Sequence, residues 1–94
     1  MEISYTSTST TRTVKPTETP FTNNTDKPIT LNFQQQGSIS LKVGEESSKI
    51  SKTIASINYN ATVYYSANPN DYTIPAKKTA TLTKSGTNIK MTIT

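Results

Sequence analysis

The chain reads as all-β, and three observations carry that reading. Nineteen Thr and eleven Ser make up about a third of its 94 residues. With Ile, Val and Tyr, the Thr residues are types that fit a pleated, half-buried surface. Ala and Leu, the strongest helix formers, are few. Apolar residues also recur at period two in segment after segment, and Gly, Pro and Asn punctuate the chain roughly every ten residues. About seven strands of about five residues can be counted this way. The expected architecture is a small antiparallel β-sandwich of immunoglobulin-like type, with a small β-barrel as the alternative.

In chain order, residues 1–20 read as a Thr/Ser-rich N-terminal arm, extended or flexible, and 21–94 as a single β-sandwich domain. The arm has Ile3, Tyr5 and Val14 as its apolar anchors, and Pro16 and Pro20 close it. Low hydrophobicity favours a solvated segment. A strand exchanged with a neighbouring subunit and an edge strand of its own sheet are the other readings.

Beyond the turn cluster 23–28, Ile29, Leu31 and Phe33 alternate with Thr30, Asn32 and Gln34. Ile39, Leu41 and Val43 repeat the pattern. A loop at 35–37, with Gly37 supplying a left-handed position, sets Phe33 opposite Ile39, Leu31 opposite Leu41 and Ile29 opposite Val43. At the C-terminus, a turn at Ser85-Gly86 sets Leu82 opposite Ile89 and Ala80 opposite Met91. Between these hairpins, Tyr59, Ala61, Val63 and Tyr65 fall on one face of a strand ended by Asn68-Pro69-Asn70-Asp71. Tyr72–Ile74 is a short strand stopped by Pro75. Residues 47–57 stay open between helix and strand. Ile50, Ile54 and Ile57 have helical spacing, but Ser51, Thr53 and Ser56 are poor helix-interior residues, which favours a strand.

Composition excludes much chemistry. With no His and no Cys, a His triad, a Cys nucleophile, a disulfide and a thiolate or imidazole metal site are all impossible. Glu45 and Glu46 are adjacent on a turn, so they make no acid–base pair, and no phosphate loop or nucleophile elbow is present. No enzyme, cofactor or metal is therefore expected. The Asp26 and Asp71 clusters each offer one carboxylate, too few for Ca²⁺, and read as turn formers. The sequons at Asn23 and Asn60 are chance matches in so Asn- and Thr-rich a chain.

No stretch is apolar enough to span a membrane. The first residues carry no signal-peptide pattern, which fits a chain kept in a cytoplasm or one trimmed from a longer precursor; the expected location is a virion or extracellular surface reached without a recognisable signal, with a cytoplasmic home left open.

Two features point to a surface. The net charge of +4 resides entirely in residues 72–94, which hold Lys77, Lys78, Lys84 and Lys90 and no acid. Tyr64 falls on the face opposite Tyr59 and Tyr65, where an outward ring can stack on a sugar. These five residues are the candidate partner-binding set. Lysines that guard a sheet edge are the plainer reading of the charges, which lie too far apart to make a nucleic-acid site.

The hydrophobic share, 31%, is well below the ~45–50% of an average domain. A lean core points to stabilisation by protein partners, as a homo-oligomer or in a larger assembly. Over residues 21–94 this Cys-free, hydroxyl-rich texture resembles immunoglobulin-like domains attached to phage capsids and tails. The resemblance implies a structural, non-enzymatic component of a virion. A module binding a glycan or an acidic partner, and a small inhibitor of a host enzyme, are the alternatives.

Overall fold

A computed structural model describes residues 1–8, 12–35, 37–67 and 71–94. Their regular structure is all strand: β1 (Glu2–Thr6), β2 (Val14–Lys15), β3 (Phe21–Asn24), β4 (Ile29–Phe33), β5 (Ser38–Leu41), β6 (Ile54–Tyr59), β7 (Thr62–Ser66), β8 (Tyr72–Thr73), β9 (Ala80–Ser85) and β10 (Asn88–Ile93). They form one open, ten-stranded sheet ordered β3-β9-β10-β1-β7-β6-β2-β8, with β4 on β6 and β5 on β4. The sheet is mixed rather than antiparallel, because β2 runs parallel to β8 and β3 parallel to β9. Laid flat, eight strands at ~4.8 Å spacing put the outer two about 34 Å apart. The molecule measures only 29 × 27 × 26 Å, so the sheet curls on itself. β7 makes the bend, pairing with β6 through Thr62–Tyr64 and with β1 through Tyr65 and Ser66.

In the segment read as an N-terminal arm, of which Ser9, Thr10 and Thr11 lie outside the described residues, β1 and β2 are packed strands. β1 lies between β10 and β7, and Ile3 and Tyr5 are buried. Together with Val14 they join the same core cluster as Phe21, Leu31, Ile57 and Leu82, so the boundary at residue 20 separates no packing unit. Two apolar side chains at period two are enough to seat this strand because Met91 and Ile89 lie directly opposite them. The core draws on nearly every large aliphatic residue. Of the nine isoleucines, eight are buried; the exception is Ile39 on β5, which is half-buried.

Both predicted hairpins form, each with a register two residues away from the expected one. Leu31 lies opposite Ile39 and Ile29 opposite Leu41, which leaves Val43 beyond the strand and exposed. Leu82 lies opposite Met91 and Lys84 opposite Ile89, so the turn residues are Gly86-Thr87. Gly86 takes φ 63° at the first turn position, and Gly37 takes φ 91° in the other loop. A slip of two keeps every side chain on its face, so hydrophobic pattern cannot detect it. Gln36 of the first loop and Asn68, Pro69 and Asn70 of the predicted strand end lie outside the described residues.

The stretch 47–66 differs most from expectation: of 47–57, read as a strand, only the part from Ile54 is one, and 47–53 is loop backbone with an isolated bridge at Ile50. The helical spacing of Ile54 and Ile57 is a strand with a bulge: Phe33 pairs with Ile54 and Asn32 with Ser56, so Ala55 has no partner across β4. The strand expected to run straight through Tyr59–Tyr65 is instead a hairpin. Asn60 and Ala61, at φ 52° and 58°, make a two-residue turn of the primed kind. The turn sets Ile57 opposite Tyr64 and thereby reverses the faces of β7. Tyr64 points inward and is buried, and Val63 is the exposed neighbour.

Candidate interaction edge

The fold disperses the five residues predicted as a partner-binding set. Tyr64 stacks edge-on against Tyr59 with ring centroids 5.9 Å apart, and its hydroxyl donates to Thr87 O at 2.9 Å. The ring on the outer face of β7 is that of half-buried Tyr65, beside exposed Val63. The lysines do not share one acid-free surface, because β1 brings Glu2 to Lys90 (3.5 Å) and the turn after β3 brings Asp26 to Lys84 (3.6 Å). Both pairs are solvent-exposed, where screening leaves an ion pair little to contribute. Lys77 and Lys78 stand on an exposed turn, with Lys77 at φ 67°.

The Asx clusters do structural work. Asn23 is buried, and its amide donates to Lys27 O (2.9 Å) and Leu41 O (3.0 Å). Its Oδ1 accepts from the Thr25 N–H (3.0 Å) and hydroxyl (2.6 Å). That amide is fully engaged, so the first sequon is a turn buttress, whereas Asn60 is exposed at its hairpin tip. Asp71 accepts from both the N–H (3.2 Å) and hydroxyl (3.0 Å) of Thr13, which locks β8 beside β2. Asp26 accepts a hydrogen bond from the Tyr59 hydroxyl. That bond holds the Asp26 carboxyl below its usual range and pushes the Tyr59 phenol up to about 12. Burial raises the Tyr5 phenol as well. Among the described residues no three acids come together as a metal-binding group, and no helix is long and apolar enough to cross a membrane.

The feature that stands out is an edge. β3, one end of the sheet, is sealed along its outer side by the segment 44–50. The Asn23 N–H donates to Glu45 O (3.0 Å), and the Gly44 N–H donates back to Asn23 O (2.7 Å). The Ser47 N–H donates to Phe21 O (2.7 Å), and the Phe21 N–H to Ser47 Oγ (2.9 Å). Thr19 and Ile50 exchange two further bonds of 2.9 Å. β8, at the other end, is only two residues long. β5 pairs with β4 alone. Asn23 caps its last carbonyl, at Leu41, but Ser38–Ser40 have no strand or loop on their outer side among the described residues. This stretch carries no charge and no Pro, the usual guards of an exposed edge.

A groove opens beside that edge, where Ile39 and the half-buried Phe33 look across at the segment 49–53. One cavity of about 240 Å³ lies between Phe33, Ile39, Ile50 and the stems of Lys49 and Lys52. A second, about 420 Å³, continues past Phe33 to Lys15, Gln34, Gln35 and Thr53. Lys52 Nζ sits 5.5 Å from the centre of the Phe33 ring. Three lysines line the two cavities and no carboxylate does. Exposed Glu18, outside the lining, donates its N–H to Ser51 Oγ at 2.9 Å. Sequence reasoning missed this site because its lysines come from segments that are each balanced in charge. The available signal was Ile39 and Phe33 at the tip of a hairpin, next to the uncharged run 38–41.

No protein-family model matches the chain, and no curated protein or solved structure does.

Proposed function

We propose that the protein is a non-enzymatic interaction module that assembles by accepting a strand from a neighbouring polypeptide along β5. The curled sheet is read here as an immunoglobulin-like sandwich bent at β7, and the setting as a larger particle such as a virion. The single observation that carries the reading is the contrast between the bare edge of β5 and the sealed edge of β3. An unpaired, uncharged edge strand offers its N–H and C=O groups as a template for another strand. Ile39, the one isoleucine left half-buried, lies on that edge. Strand exchange through the N-terminus is the less favoured route, because Ile3 and Tyr5 are already buried in the chain's own core.

Light scattering over a range of concentration and salt tests the proposal. Without its partner, β5 pairs weakly with another copy. The mass should rise above the monomer toward millimolar concentration, more so in high salt, which screens the +4 charge. Charging the exposed edge with Ser38→Lys and Ser40→Lys should restore a monomer without lowering the melting temperature. A wild-type chain that stays monomeric at every concentration and salt overturns the reading.

A further inference from the structure

We infer that the strand accepted by β5 is an acidic, extended segment of another protein, with glutamate or aspartate side chains directed into the part of the groove that Lys49 and Lys52 line. The inference rests on the edge reading above and adds the chemistry of the partner. A strand laid along Ser38–Leu41 directs every second side chain toward the same face as Ile39. There it meets two surfaces. One is apolar, formed by Phe33, Ile39 and Ile50. The other is cationic, with Lys49 and Lys52 in the nearer cavity and Lys15 and Lys52 in the farther one. With no carboxylate in the lining, these ammonium groups have no counter-charge within the groove. An incoming glutamate lays its methylenes on the apolar floor and its carboxylate on the lysines.

The same charges argue against a second copy as the preferred occupant. The chain is net positive and brings its own Lys49 and Lys52 to any symmetric β5–β5 contact. They also separate a peptide from a polyanion. A nucleic acid or sulfated glycan satisfies the lysines but cannot pair with the backbone of Ser38–Ser40 or fill the gap between Ile39 and Ile50.

The test is a titration of the isotope-labelled full chain, followed by NMR. The probe is a short threonine-rich peptide in which every second residue is alternately valine and glutamate. Shift changes are expected at Ser38–Leu41, Phe33 and Lys49–Lys52. Affinity should fall as salt rises, opposite to the trend for self-association. The exposed double variant Lys49→Glu/Lys52→Glu should bind about tenfold more weakly while melting as the wild type does. Two control peptides separate the claims. If a version with N-methylated backbone amides binds as well as the parent, strand pairing is not the mode, and the edge reading fails. If a version with lysine in place of glutamate binds as well, strand pairing stands and the acidic partner is overturned. Tighter binding of heparin or an oligonucleotide in the same groove overturns the peptide in favour of a polyanion. No perturbation of β5 by any probe overturns both proposals.

Discussion

The edges of β3 and β5 are built from similar material and treated in opposite ways. Each strand is four residues long, is uncharged and alternates less with more exposed side chains. β3 is followed by a turn whose buttress, Asn23, also reaches across to Leu41 O, so that the chain leaving β5 runs back along β3 and pairs with it. β5 receives one cap from that arrangement and no covering strand. The same 44–50 segment could not seal both. A sheet that hides one edge with loop backbone and leaves another bare has an asymmetry that composition does not reveal. The bare edge is also where its cationic groove lies.

Several substitutions break or sharpen this contrast. Ile57→Ala, at a fully buried position in the middle of the sheet, should cost about 3–4 kcal/mol in denaturant unfolding. Ile39→Ala should cost about 1 kcal/mol or less yet abolish edge association. Equal costs at the two sites would mean that β5 is core, not edge. Asn23→Leu removes the amide donor to Leu41 O and the acceptor of the Thr25 N–H, while Lys27 O keeps the Thr25 hydroxyl, and should cost about 2–3 kcal/mol. Ser47→Ala removes the acceptor of the Phe21 N–H and should cost about 1 kcal/mol. It should also loosen the seal on β3, so that aggregation at high concentration increases.

Smallest at neutral pH is the Asp26–Tyr59 bond. The Asp26 carboxyl is lowered from 3.8, so its contribution is present above that value and disappears as pH falls through the lowered one. The Tyr59 phenol is raised from 10.0 to about 12, so its contribution is intact below pH 10.0 and is lost as pH rises through about 12. Tyr59→Phe should weaken the pH dependence at both ends, leaving on the acid side the share that Lys84 and Lys27 give Asp26 and on the alkaline side the decline due to Tyr5.

The sequence disclosed the sheet far better than the site. Period-two pairs such as Ile29/Leu31 and Ile89/Met91 identify strands and their buried faces, because burial itself imposes that period. Register was hidden, because slips of two leave the faces unchanged and only the exact turn positions of Gly86 and Gly37 distinguish them. The Asn60-Ala61 turn went unseen for want of a glycine, and missing it inverted β7 and put Tyr64 on the wrong side. Charge by segment misled for a different reason. Glu2 and Asp26 lie far from Lys90 and Lys84 along the chain and become their partners only through β1 and the turn after β3. The groove lysines are separated in the same way. Lys15 comes from β2 and Lys49 and Lys52 from the segment before β6, and long-range pairing brings them together.

Amide hydrogen exchange, read residue by residue, tests the contrast of edges most directly. In the dilute monomer the Phe21 and Asn23 amides, which donate to Ser47 Oγ and Glu45 O, should be protected, while among Ser38, Ile39 and Ser40 the amides facing away from β4 exchange rapidly. Adding the valine–glutamate peptide should slow those β5 amides and leave β3 unchanged. If β5 is already as protected as β3 in the monomer, or is no slower with the peptide bound, the open-edge account is wrong.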